Sequence, residues 1–315
     1  MSGKTVNSAI LLLIIGNAMA IGSDVFIKLM DASAPVFQFA FLRNLITVAL
    51  LAPMLKKADY SRLFEGAGVH AVRAHVLLAG LLCMVVALTT LPLATANAVF
   101  YAAPVLVMVL SVLLFGERLS VLSILAVISG FAGVLVILRP MALEWASLSA
   151  LGTAFCLAVA ALTVRKLPRR QSTAHKLFLN SLLVLPASLA LALWEGAPWR
   201  WEIVVSAVGS AVFILGYNGS VLRAYNHVDA NQVTSAEYTG LIWAIAIGWL
   251  IFGEVPDLWF ITGSLMIILP LVMIGLNQRR KHRLMYRTSV VEGPDGEQEA
   301  PGEISDRRPA FPSNP

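Results

Sequence analysis

Runs of mostly apolar residues recur along the chain, bounded by charged, Gly or Pro positions and with little sequence between them. A helix that crosses a bilayer needs about 20 such residues. The runs at 9–29, 35–55, 74–91, 94–115 and 121–138 answer to that length, and a second set follows at 145–164, 177–194, 203–225, 230–252 and 258–276. They predict ten transmembrane helices. Little more than Pro92 separates the third and fourth runs, but a single helix through both would far exceed the thickness of a membrane.

The basic residues set an orientation. With ten spans both ends of the chain share a side, and placing them in the cytoplasm puts almost every Lys and Arg on the inner ends of spans; only Lys28, Arg139 and Arg200 fall outside, with Arg43 inside a span. Retention of Lys and Arg in cytoplasmic loops is the expected bias. Arg73 is counted here with the inner loops. After 276 the chain turns basic, then rich in Glu, Gly and Pro, a tail too polar to bury a core of its own.

The two sets of five runs are copies of one another. Phe115-Gly116-Glu117 recurs as Phe252-Gly253-Glu254, and at the same offset Tyr101 meets Tyr238, Ala87 meets Ala224 and Phe41-Leu42 meets Phe178-Leu179. Five is odd, so the second copy enters the membrane with the opposite polarity. The chain thus divides into a short N-terminus (1–8), one five-helix repeat (9–138), its inverted copy (139–276) and a tail (277–315). Inverted repeats are a mark of secondary transporters, whose halves exchange conformations around a central site.

Composition agrees and removes other classes. Of 315 residues 58% are hydrophobic and 13% charged, against roughly 25% charged in soluble domains, and mean hydropathy is +0.79. The net charge of +5 lies at the ends of apolar runs, not on the solvated basic face that nucleic-acid binding requires. Cys83 and Cys156 fall inside apolar runs and read as buried thiols, with no metal-ligand spacing. Neither a cofactor motif nor a phosphate-binding loop is present, so uphill transport would draw on a gradient.

An apolar helix with a central proline that ends in Gly-Glu, followed by a short turn and a Gly-containing helix, resembles the repeat of EamA-type transporters in the drug/metabolite transporter superfamily. The first copy carries Pro104, Gly116, Glu117, Gly130 and Gly133. The second keeps Gly253 and Glu254 but has Leu241 where Pro104 would map. The resemblance implies an all-α integral membrane protein of ten helices in two inverted five-helix repeats, with cytoplasmic termini, a central cavity and no ATP-hydrolysing part.

Ionisable and polar groups within spans point to the working site, because they are costly in lipid. Asp24 and Arg43 lie about two turns from the outer ends of neighbouring spans, where they form either an ion pair or part of a cavity wall. Glu237, the other acid at membrane depth, is the candidate proton carrier. Tyr101 and Tyr238 occupy equivalent places, each one helical turn after a polar residue, Asn97 or Thr234. Asn218 joins them as a cavity candidate, with Asn17, Gln38, Asn180 and Tyr217 weaker. Glu117 and Glu254 fall on opposite faces and cannot form a catalytic pair; they read as helix-end groups contacting neighbouring helix ends or loop residues. Pro53, Pro104, Pro186 and Pro270 are expected to bend their spans.

These readings describe a carrier of a small polar metabolite, amino-acid-like or a related zwitterion, in the inner membrane, with export the favoured direction and proton coupling or exchange as the energy source. A homodimer is left open and not required. Larger solutes, such as a riboflavin-type vitamin or an opine-type metallophore, are the alternative within the family. An intramembrane transferase is the alternative outside it, and it would need His, Asp or Cys gathered at one face; the five histidines lie in or beside loops with no such partners.

Overall fold

The computed structural model describes residues 6–55, 62–138, 144–168, 170–225, 236 and 239–291. Its described residues are helical with no strand: α1 (Val6–Lys28), α2 (Val36–Leu51), α3 (Ala67–Thr90), α4 in two segments (Leu93–Phe100 and Ala103–Phe115), α5 (Val121–Leu138), α6 (Trp145–Thr163), α7 (Thr173–Glu195), α8 (Trp201–Tyr225), α9 (Thr239–Phe252) and α10 (Leu258–Val291). Nine of these are long and apolar enough to span a bilayer; α9 is apolar but shorter among the described residues.

Local chemistry sets the breaks. Pro104 offers no N–H to the fourth helix and restrains the residue before it. The chain gives way there: Tyr101 ends the first segment with its N–H on Asn97 O at 3.0 Å, Ala102 tightens to Val99 O at 2.9 Å, and helix resumes at Ala103. Pro186 and Pro270 lie inside continuous α7 and α10. Pro53 bends nothing, contrary to expectation, because α2 stops at Leu51 and Pro53 belongs to the 3-10 turn Ala52–Met54.

The duplicated Gly-Glu ends two helices identically. Gly116 and Gly253 adopt left-handed φ of 63° and 66°, where glycine has no Cβ to clash. Gly116 N–H reaches Val112 O at 2.9 Å and Gly253 N–H reaches Trp249 O at 3.1 Å. The next N–H, of Glu117 or Glu254, returns to Ser111 O at 3.4 Å or Gly248 O at 3.1 Å. Both turns satisfy last-turn carbonyls that lipid could not.

Helices of one half pack chiefly on the other half. α1 lies along α8 and its repeat mate α6 along α3; α2 meets α7, α5 meets α10 and α4 meets α9, while α2 with α8 mirrors α7 with α3. Exchanging the halves reproduces this contact pattern, as an inverted repeat requires.

The side chains are arranged for lipid. On α5, Ile124, Leu125, Ile128, Phe131 and Leu135 are 42–64% exposed, while Ala126, Gly130 and Gly133 turn inward. Large residues outside and small ones at helix contacts suit a bilayer, which competes for apolar surface and leaves close packing to hold helices together. Every tryptophan except Trp243 lies near the membrane face opposite the start of α1, and Trp145, Trp194 and Trp201 are at least 73% exposed, as in an interfacial aromatic belt.

The tightest backbone approach joins α5 to α10, where a Cβ on Gly263 would stand 2.5 Å from Gly133 O. Backbone cannot step aside as a side-chain tip can. Gly263→Ala should therefore cost about 1–3 kcal/mol, read as a lowered unfolding midpoint in detergent. Gly275→Ala on the same helix, where a Cβ meets nothing within 4 Å, should leave the midpoint unchanged or slightly raised.

Candidate functional site

A cavity of about 470 Å³ lies between the halves, walled by α1, α2, α3, α4, α6, α7, α8 and the start of α9. That volume is in the range of small-molecule sites. Of the residues singled out from sequence, Asp24, Arg43, Asn97, Tyr101 and Asn218 all face it, as do Asn17, Asn180 and Tyr217. Thr234, Glu237 and Tyr238 lie outside the described residues. Gln38 does not face the cavity; it is buried at the start of α2 and donates through Nε2 to Ala197 O.

Asp24 and Arg43 do not close into a direct ion pair. Asp24 Oδ2 instead accepts from Asn97 Nδ2 at 3.1 Å, and the same amide nitrogen holds Leu93 O at 3.1 Å, fixing the carboxylate to α4 just before its break. Asn17 Nδ2 donates to Ala236 O at 2.9 Å and Thr239 Oγ1 at 3.1 Å, and Trp243 Nε1 to Ile14 O at 3.0 Å, which ties α1 to the beginning of α9. Asn44 and Asn218 spend a donor on their own helices, at Ala40 O and Ile214 O.

Arg73 joins this wall although the apolar run read from sequence begins one residue after it. α3 starts at Ala67, so Arg73 sits within the helix, faces the cavity and donates from Nε to Ala160 O at 3.2 Å. Six helical residues before the arginine were the signal that could have found it. Cys156 also faces the cavity, and both cysteines are half-buried, a correction to their reading as buried thiols: each meets a glycine of the facing helix, Cys83 at Gly152 and Cys156 at Gly80. Thr47, Thr153 and Ser181 complete the polar lining.

Two of the histidines read as lying in or beside loops are buried in the first turns of their helices. His70 on α3 engages Asn180 Oδ1 at 3.3 Å and Gln171 Oε1 at 2.8 Å; His175 on α7 contacts Leu63 O at 3.0 Å. They brace the segments at the N-terminal face. Among the described residues no group of three or more His, Cys, Asp or Glu could hold a metal ion.

The cavity is closed toward the face opposite the N-terminus. There Lys28 Nζ meets Glu254 Oε1 at 2.9 Å and also donates to Leu91 O at 2.6 Å, while Glu254 Oε2 accepts Leu93 N–H at 2.7 Å. One ion pair thereby clamps the ends of α1, α3 and α9 to the start of α4. Its side chains are only 12% and 19% exposed, and Ile27, Phe39, Val85, Leu88 and Leu93 are fully buried near it. Glu195 adds a second tie by accepting from Phe37 N–H at 3.1 Å and Gln38 N–H at 2.9 Å at the start of α2, where a carboxylate suits the helix dipole.

The repeat mate of this pair is Arg165 with Glu117 at the N-terminal face, with side chains 53% and 44% exposed. The hydrogen bond from Arg165 holds the Glu117 carboxyl below its ordinary value. A depressed value keeps the acid charged to lower pH than a free glutamate, and the pair is lost as pH falls through that lowered value. On this side the cavity lining extends to Arg73, Leu177 and Asn218, toward the ends of their helices at the N-terminal face. The expectation that each Glu contacts a neighbouring helix end holds for both.

A solute-sized cavity between two inverted halves, sealed at one membrane face and reaching toward the other, defines a membrane carrier of small metabolites. The sequence profile described as EamA-like transporter family matches the chain twice, at residues 7–139 and 144–276, and the protein belongs to that family. A pseudopaline exporter of Pseudomonas aeruginosa is 27% identical over 288 residues, covering 87% of this chain and 97% of the relative. An S-adenosylmethionine uptake transporter of Rickettsia prowazekii is 26% identical, covering 82% and 89%. A riboflavin transporter of Vibrio cholerae is 27% identical, covering 79% and 86%. One protein of known crystal structure shares the fold, with a TM-score of 0.54 and 20% identity over 89% of this chain and 98% of the other. These relatives are transporters, and this chain is a transporter rather than an enzyme.

Glu254→Gln removes the charge that holds Lys28, and losing even about 1.4 kcal/mol from one state shifts a two-state balance tenfold. In a Cys83→Ser background, Cys156 should react with a membrane-impermeant maleimide from the N-terminal face in vesicles of known sidedness. Glu254→Gln should raise its labelling from the opposite face by about tenfold; an unchanged rate would mean that the pair does not hold this side shut.

Proposed function

We propose that the protein is a secondary carrier that moves a small, amino-acid-like or related zwitterionic solute out of the cell by alternating access. It sits in the inner membrane with both termini in the cytoplasm, so the cavity described above is reached from inside. The observation that carries the reading is the placing of Asp24 and Arg43 on the wall of one cavity without a direct bond between them. Opposite charges at membrane depth that do not neutralise each other by contact can each take the complementary group of a zwitterion, and a carrier of a neutral ring-bearing vitamin has no use for them. Tyr101 supplies an apolar face beside them. The direction of transport follows the pseudopaline exporter, and the uptake systems among the relatives stand for the opposite sign.

The solute would be found by comparing metabolites of cells with and without the protein, then measuring its flux in proteoliposomes under an imposed proton gradient. Glu237 is the proposed proton carrier. Glu237→Gln should fold and support downhill flux but abolish gradient-driven accumulation, and unaltered uphill flux in that variant would remove it from the role. Asp24→Asn, by contrast, should raise the KM for an amine-bearing solute about tenfold or more, checked in the same vesicles.

A further inference from the structure

The described ionisable groups on the cavity wall do not balance: Arg43 and Arg73 face a single carboxylate, Asp24. Asp24 already accepts from Asn97 and is close enough to Arg43 to interact with it electrostatically. Arg73 has no comparable partner. Its Nε is tied to Ala160 O in the last turn of α6, and no described carboxylate forms an ion pair with it. The negative end of that helix steadies the guanidinium, and the four Nη hydrogens are left to other partners. Asn180 also lines this wall, with its Nδ2 buried away from the cavity space and without a hydrogen bond. Among the described residues the wall is therefore rich in donors and positive charge and short of acceptors, in a place where an unmatched charge is costly.

A guanidinium fork fits a carboxylate through two parallel hydrogen bonds, which gives it a preference that a point charge lacks. Arg73 stands in the second turn of α3, toward the N-terminal face, while Asp24 lies deeper, toward the closed face. A solute lying along the cavity would direct its carboxylate to Arg73 and its amine to Asp24. Arg43 then remains for a second anionic group. We infer that Arg73 binds a carboxylate of the carried solute and that this solute has more carboxylates than amines, so that it crosses as an anion. The inference rests on the carrier reading above and narrows its substrate from zwitterions to acidic amino compounds.

The charge of the cavity can be measured without knowing the solute. In a Cys83→Ser background, Cys156 would be modified with anionic sulfonatoethyl, cationic trimethylammonium-ethyl and neutral methyl methanethiosulfonates, each rate divided by that with a free thiol. The anionic reagent should outpace the cationic one at least tenfold, Arg73→Gln should remove most of that preference, and Arg73→Lys should keep it. An unchanged rate with the neutral reagent reports an intact fold. Equal anionic and cationic rates in the parent protein would overturn the inference. For the solute found by metabolite comparison, Arg73→Gln should raise KM at least tenfold in proteoliposomes, and Arg73→Lys should restore it only in part. A solute whose only anionic group is a phosphate, or one without an anionic group, would overturn the carboxylate assignment. Absence of any flux from the parent protein, with the anionic preference intact, would count against the carrier reading and leave the anion site standing.

Discussion

Everything in this molecule depends on the packing of one half into the other. A helix in lipid gains little from hiding apolar side chains, since the surrounding chains are as apolar as leucine, so association rests on close fit and on hydrogen bonds that lipid cannot offer. Here the closest fits cross between repeats: α1 with α8, α3 with α6, α2 with α7 and α5 with α10. Glycines admit a facing backbone at Gly133 and Gly263 and a facing side chain at Gly80 and Gly152. Neither half encloses the cavity alone, because the walls alternate between them. The site is a property of the interface, and any movement of one half against the other changes its shape.

The interface also explains how two nearly equivalent faces come to differ. Lys28 and Arg165 are repeat mates, and so are Glu254 and Glu117, yet one pair is largely shielded and adds backbone partners from α3 and α4 while the other is half-exposed. An exposed pair is worth little in water. A shielded pair that satisfies the ends of helices is costly to break, since each charge would be left without its partner. The two arrangements are what one duplicated motif does in a tight and in a loose setting. Exchange of those settings between halves would turn the cavity to the other face with no new contacts required.

Much of this could be read from the sequence, and the parts that could not share one physical reason. Apolar run length gave the spans, the recurrence of Phe-Gly-Glu gave the inversion, and Pro104 marked the break in α4, because each depends on local backbone chemistry. Arg73 was misplaced because a helix does not end where its apolar run ends: polar residues can continue it when their heads reach a cavity or an interface. Pro53 was misread for the opposite reason, as the apolar run outlasted the helix. Direction was hidden as well. That Asp24 turns to Asn97 rather than to Arg43, and that Cys156 faces the cavity rather than sealing into a contact, depend on which helices of the other repeat lie alongside, and no periodicity within one helix contains that.

The pattern of what the duplication kept and what it lost bears on the mechanism. Residues that shape the frame match across the repeats: Gly116 with Gly253, Glu117 with Glu254, Lys28 with Arg165. The charged residues that face the cavity do not: Asp24 is matched by Ala161, Arg43 by Asn180 and Arg73 by Ser210. A carrier that exchanges the conformations of its halves needs two states of similar energy, and a symmetric frame supplies this because each state is built from the same kinds of contact. The solute has no such symmetry. A molecule with distinct ends is held in one orientation only if the wall differs along its length, so the cavity has to depart from the repeat in the charges that meet those ends. Symmetry in the frame and asymmetry in the lining are therefore two requirements of one device, and the charged residues without a charged repeat mate are the ones expected to contact what is carried.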